Sequence, residues 1–134
     1  MGLVLDSSVL IDIERRRAEL PPAWLAEQVG IAAITAAELL AGVFRADPAR
    51  RPRRTAFVEG VLNLLPVLPF DLVAARLFAQ VEFELARVGV TVDTADLQIA
   101  ATALARGWDV ATLNAADFAR VPGLGVRTPA DRDT

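Results

Sequence analysis

The sequence has no cysteine and no histidine, and all 14 of its basic residues are arginine. Without cysteine there are no disulfides, no thiolate nucleophile and no cysteine-based zinc site. Without histidine, serine–histidine triads, histidine general bases and histidine-rich metal sites are excluded. Long hydrophobic runs are missing too. Stretches such as Gly60-Val61-Leu62 and Ile99-Ala100-Ala101 are short and broken by charge, far from the ~20 apolar residues that a membrane span needs. Met1-Gly2-Leu3-Val4-Leu5-Asp6 lacks the basic segment and cleavage site of a secretory signal. A myristoylation motif fails as well, because Asp6 stands where it requires Ser or Thr. The cytoplasm is the expected compartment.

What is present suffices for a packed core. The chain has 134 residues, 54% of them hydrophobic, with a mean hydropathy of +0.39. One compact domain spanning 1–134 is expected from that length, and global disorder is excluded. A net charge of −3 does not by itself advertise nucleic-acid binding. The arginines are unevenly spread, however: Arg45, Arg50, Arg51, Arg53 and Arg54 crowd one stretch. They offer planar donor forks to phosphates or carboxylates, or else form a solvated linker.

Short apolar runs alternate with helical patterns. Strands are predicted at Gly2–Leu5, Gly30–Ile34, Pro66–Leu68, Asp109–Thr112 and Gly125–Arg127. Helices are predicted at Ser7–Arg17, Ala23–Gln28, Ala36–Arg45 with Thr35 as cap, Arg54–Leu64, Asp71–Val88, Thr94–Arg106 and Ala115–Arg120, with Asp47–Pro52 a loop. The alternation predicts an α/β fold, a three-layer α/β/α sandwich around a mostly parallel sheet of about five strands. The Asp71–Val88 pattern is apolar on two sides (Leu72, Ala75, Ala79, Phe83 and Val73, Leu77, Val81, Leu85). Such a helix is buried on both sides or meets a second subunit.

In such sheets the functional crevice lies beyond the carboxyl ends of the strands. Four acids, Asp6, Glu38, Asp96 and Asp117, occupy that side. Helix capping is the alternative for three of them. Thr35-Ala36-Ala37-Glu38 is a capping box in pattern, while Asp96 and Asp117 sit in first helical turns favoured by the dipole. Asp6, directly behind Leu3-Val4-Leu5, has no such explanation, and a charge at the end of a buried strand needs a partner. No Lys or His lies nearby to neutralise these acids. Hard oxygen ligands brought together suit Mg²⁺ or Mn²⁺, and carboxylate-held metal serves phosphodiester cleavage.

The motifs are similar to those of PIN-domain proteins. Leu3-Val4-Leu5-Asp6-Ser7-Ser8-Val9-Leu10-Ile11 resembles their opening, and Ile34-Thr35-Ala36-Ala37-Glu38-Leu39-Leu40-Ala41-Gly42 their second motif. Asp96-Leu97-Gln98-Ile99-Ala100-Ala101-Thr102-Ala103 resembles the third. Thr112-Leu113-Asn114-Ala115-Ala116-Asp117-Phe118, followed by Val121-Pro122-Gly123-Leu124, resembles the fourth. Size and style look most like VapC, the toxin of bacterial VapBC toxin–antitoxin pairs. The resemblance implies a Mg²⁺- or Mn²⁺-dependent endoribonuclease, usually dimeric and inhibited by a VapB-type antitoxin. It makes Asp6, Glu38, Asp96 and Asp117 the catalytic and metal-binding acids. Asp6 and Asp96 would hold the principal ion, Glu38 would complete that shell or orient the nucleophile, and Asp117 would serve a second ion or its waters. Ser8, Thr112 and Asn114 match supporting polar positions. Asp93 is an extra acid, a helix cap or an outer ligand, and Gln98 departs from the apolar residue common there. The Arg45–Arg54 cluster would face RNA or antitoxin.

Two other functions compete. A metal-dependent phosphatase of the haloacid-dehalogenase type needs an Asp two residues beyond the strand-end Asp, where this chain has Ser8, and phosphotransfer domains of these kinds use a lysine that this chain lacks. A non-catalytic PIN-like binding module would have no need to keep all four acids.

Overall fold

The computed structural model describes residues 1–16 and 19–129. Five strands, β1 (Gly2–Leu5), β2 (Gln28–Ala32), β3 (Val67–Leu68), β4 (Asp109–Ala111) and β5 (Val126–Arg127), form one sheet in the order β3-β2-β1-β4-β5. Every pairing is parallel. The chain winds outward from β1 through β2 to β3, then returns to β4 beside β1. The winding reverses between β1 and β4, which is where open α/β sheets bind ligands.

Helices cover both faces, as alternation along the strands requires. Leu3, Leu5, Ile31 and Ala111 turn toward one core, filled by Val9, Leu10, Trp24, Leu39 and Val58. These come from α1 (Ser7–Arg16), α2 (Pro22–Leu25), α3 (Ala33–Arg45) and α4 (Arg51–Leu64). Val4, Ala32 and Val110 turn the other way, onto Val81, Leu85, Leu97, Ala100 and Phe118. Those belong to α5 (Leu72–Arg87), α6 (Thr94–Arg106) and α7 (Ala115–Phe118). The expected three layers are therefore present. Among the described residues no helix is long and apolar enough to cross a membrane.

Several boundaries differ from those expected. β2 begins at Gln28 and stops at Ala32, two residues earlier than predicted, because register with β1 pairs Gly2 with Gln28 and Val4 with Gly30. The second helix ends at Leu25 for the same reason. Ile34 falls inside α3, where it packs against the core beneath α5 and α6; that burial outweighs its β-branched preference for strand. Helix α4 starts at Arg51, not Arg54. Pro52 lies in its first turn, where the missing N–H costs nothing, and the Asp47 carboxylate accepts the Arg50 N–H at 2.9 Å. Strand β4 ends at Ala111 and α7 at Phe118, each short of the expected bound. Arg17, the predicted end of the first helix, lies outside the described residues.

Helix α5 buries only one of its apolar sides. Ala74, Val81 and Leu85 are buried, whereas Leu72, Val73 and Phe83 remain more than half exposed. At the opposite end of the sheet from the site acids, Trp108 lies flat on Gly2, where an added Cβ would stand 2.1 Å from the ring. Gly2 is thus explained by packing.

A charged tie closes the β5 edge. Arg127 donates through Nε to Asp109 Oδ2 at 3.0 Å and through Nη2 to Glu27 Oε1 at 2.9 Å, with Nη1 on Glu27 Oε2. Glu27 and Asp109 are mostly shielded from solvent. Removing the guanidinium leaves two part-buried carboxylates unpaired. Arg127→Ala should therefore cost about 1–3 kcal/mol. A denaturant midpoint unchanged from the natural protein would show that the tie contributes nothing.

Candidate metal centre

Asp6 follows β1 directly, and only 5% of its surface is exposed. Its backbone N–H donates to Ala111 O at 2.9 Å, which locks the strand end against β4. The carboxylate is held by two hydroxyls: Ser8 Oγ and Thr112 Oγ1 each donate to Oδ2 at 2.8 Å. Each hydroxyl in turn accepts a backbone N–H, Ser8 from Leu113 at 3.1 Å and Thr112 from Asn114 at 2.9 Å. Both hydroxyl protons are thereby committed to Asp6, so the 3.4 Å approach between Ser8 and Thr112 is a contact rather than a third bond. Oδ1 accepts no hydrogen bond from the described residues. The loop after β4 and the first turn of α1 thus fix one oxygen of Asp6 and leave the other available.

Asp96 lies in the first turn of α6 and is partly buried. Its pKa is pushed up to about 6, first by burial and then by the charges of Asp6, Asp93, Asp117 and Glu38. Glu38 rises as well, through desolvation followed by the fields of Asp6 and Asp93. Its surface is exposed, yet the surrounding protein withdraws enough water for desolvation to lead. Asp93, Asp96 and Asp117 line one cleft of about 310 Å³, together with Thr91, Val92 and Arg120. The four predicted acids and Asp93 therefore share one electrostatic neighbourhood.

Capping explains less here than the sequence suggested. The N-cap of α3 is Ala32, with no side-chain cap bond, and Thr35 is the third helical residue. Thr35 is fully buried, and its Oγ1 has no hydrogen-bond partner among the described residues; the surrounding structure does not account for it. Glu38 is the sixth residue of α3, beyond capping reach. Asp93 caps α6, accepting the Ala95 N–H at 3.2 Å, which leaves Asp96 free of that duty. At α7 the N-cap is Asn114, without a side-chain bond, and Asp117 is exposed.

The donor chemistry fits a hard divalent cation: all oxygen, anionic and mutually repelling. Among the described residues no three acids stand together tightly enough to enclose an ion as placed.

The arginine cluster divides. Arg54 pairs with Glu14 at 2.8 Å, Arg51 reaches the Ala46 carbonyl at 2.8 Å, and Arg50 stands 3.8 Å from Asp47. Within this cluster only Arg45 and Arg53 are exposed without a partner among the described residues. Sequence reasoning missed Arg120, the one cation lining the acidic cleft; its spacing of three from Asp117 was the available signal. A separate concavity of about 560 Å³ is mainly apolar (Leu10, Leu20, Phe57, Val61, Leu64), and no site acid lines it.

The PIN domain family matches residues 3–124. The chain is 36% identical to Ribonuclease VapC1 of Rickettsia felis over 99% of its own length and 100% of that protein's. It is 40% identical to the tRNA(fMet)-specific endonuclease VapC of Salmonella typhimurium, over 72% of this chain and 71% of that one. A chain from the crystal structure of DNA-bound VapBC of Salmonella typhimurium superposes with a TM-score of 0.86 at 31% identity, covering 96% of this chain and 98% of that one. With this sheet order, these strand-end acids and these relatives, the chain belongs to the PIN-domain family, in its VapC group.

Proposed function

We propose that the chain is a Mg²⁺- or Mn²⁺-dependent endoribonuclease, the toxin of a type II toxin–antitoxin pair acting in the cytoplasm on RNA. The observation that carries the proposal is the shared field of Asp6, Glu38, Asp93, Asp96 and Asp117 beside the β1–β4 switch point. Relatives named as ribonucleases support it.

When bound, the metal supplies an activated water and stabilisation of the charge that develops on the leaving oxygen. Asp6 and Asp96 would hold it. Glu38 would complete that shell or orient the attacking water, and Asp117 would help hold a second ion or its waters. Asp93 keeps its cap and contributes charge from outside. Ser8 and Thr112 hold Asp6 in place, and Asn114 anchors Thr112 through its backbone. Of the arginine cluster, Arg45 and Arg53 remain available to phosphates, whereas Arg54 ties α4 to Glu14 of α1, Arg51 caps the Ala46 carbonyl after α3, and Arg50 stands by Asp47 in the intervening loop.

The partner is a VapB-type antitoxin. The groove around Leu20, Phe57 and Val61 suits the apolar side of an amphipathic segment. The exposed side of α5, with Leu72, Val73 and Phe83, is the face that a homodimer would cover. The direct test is incubation of purified, antitoxin-free protein with a structured RNA in Mg²⁺, in Mn²⁺ and in EDTA. Cleavage in the first two and none in EDTA is expected. Equal cutting in EDTA would sink the metal assignment, and no cutting under any condition would favour a binding module.

A further inference from the structure

Arg120 sits in the turn after α7, on the wall of the acidic cleft. Its backbone is held firmly: Phe118 before it is fully buried and Val121 after it is 3% exposed. Ala119 N donates to Ala115 O at 2.9 Å, and Val121 N to Phe118 O at 3.1 Å. The side chain of Arg120 is exposed between these anchors. Three carboxylates, Asp93, Asp96 and Asp117, line the same cleft, yet Arg120 forms no ion pair within 4.0 Å among the described residues. An arginine placed to neutralise those acids would be expected to touch one of them. This guanidinium stays free at the mouth.

We propose that Arg120 binds the RNA itself, gripping the non-bridging oxygens of a backbone phosphate next to the bond that is cut. An RNA strand approaching this cleft meets three acidic side chains, with Asp6 and Glu38 in the same electrostatic neighbourhood, and even a bound divalent ion leaves the surround net negative. A cation on the wall offsets that repulsion where the strand must lie. Its planar fork matches two phosphate oxygens at once. Arg127 and Arg54 are engaged elsewhere, the first with Glu27 and Asp109 and the second with Glu14. This assignment rests on the ribonuclease reading above.

The test compares the natural protein with Arg120→Ala and Arg120→Lys on a short single-stranded RNA in Mg²⁺. Arg120→Ala should raise KM about 10-fold while kcat changes less than about 3-fold. The slope of log(kcat/KM) against log[salt] should become shallower by about 0.7, the loss of one phosphate contact to a single strand. Arg120→Lys should recover the salt slope and only part of KM, since it keeps charge but not the fork. Mg²⁺ affinity, read from the thermal shift without RNA, should stay within about 2-fold of the natural value. Tighter Mg²⁺ binding with KM and salt slope unchanged would overturn the inference and make Arg120 a counter-charge for the acids. Loss of the folded circular-dichroism spectrum in both variants would overturn it too, assigning Arg120 a structural role. If the natural protein cut no RNA at all, the ribonuclease reading would fall first and this contact with it.

Discussion

Asp96→Asn should abolish cleavage and, in metal-free buffer at about pH 7.5, make the protein melt higher. The two effects have one cause. The Asp96 carboxyl has its pKa raised from 3.8 to about 6, by burial and by four neighbouring acids. The folded state therefore holds a proton on this group at pH values where the unfolded chain has released it. Stability falls as pH rises from about 4 through about 6, and the penalty is complete above that window. Asparagine keeps the shape and removes the penalty. Because Asp96 is only partly buried, solvent screening reduces the gain, and about 3 °C in Tm is a reasonable size. The gain should shrink as the pH is lowered toward about 4, where the natural carboxyl is protonated in both states. Adding Mg²⁺ should raise the Tm of the natural protein and move that of Asp96→Asn far less. Activity in saturating Mg²⁺ should fall about 10³-fold or more, the loss expected when a metal-holding charge is removed. A lower metal-free Tm at neutral pH would show that Asp96 is not strained by its neighbours. Cleavage at the natural rate would remove it from the site.

The sheet was legible because its signals are local. Leu3-Val4-Leu5 and Asp109-Val110-Ala111 read as buried strands from composition alone, and Asp93 and Gly107 mark the two ends of α6 as caps should. The strand–helix joint at Ala32–Ala33 was not legible. No loop separates the elements there, so Thr35 looks like a cap in sequence but lies inside the helix. Only the register of β2 against β1, a long-range property, sets that boundary. The candidate acids stand out by position at strand ends, and the capping explanation fails for Glu38 because α3 starts early, at Ala33. The arginine cluster looked uniform, yet its members differ by which neighbour folds back on them. Arg120 carried only a faint signal, its spacing of three from Asp117, because its meaning comes from a cleft assembled by α6, α7 and the segment before α6.

Asp6→Asn should be the other severe loss, about 10³-fold in cleavage, and its surroundings say how to separate charge from position. The carboxylate accepts two hydroxyl protons on one oxygen, while Ser8 and Thr112 each receive a backbone N–H in return. An asparagine oxygen accepts the same two bonds if its amide is turned away, so the fold should survive with the charge gone. The hydroxyls act through Asp6, as positioning residues. Thr112→Val leaves the shape nearly unchanged but removes one donor to Asp6 and strands the Asn114 N–H. It should reduce activity about 10–100-fold, the range seen for groups that orient metal ligands, and cost about 1–3 kcal/mol. Thr112→Ser should restore most of both. Ser8→Ala removes the second donor, and the double variant should lose less than the product of the single losses, since both bonds hold one oxygen. Strict multiplication of the two effects would mean that the hydroxyls act independently, rather than as a joint clamp on Asp6. A normal Mg²⁺-induced thermal shift in Asp6→Asn would be more damaging, for it would place the ion elsewhere among the acids.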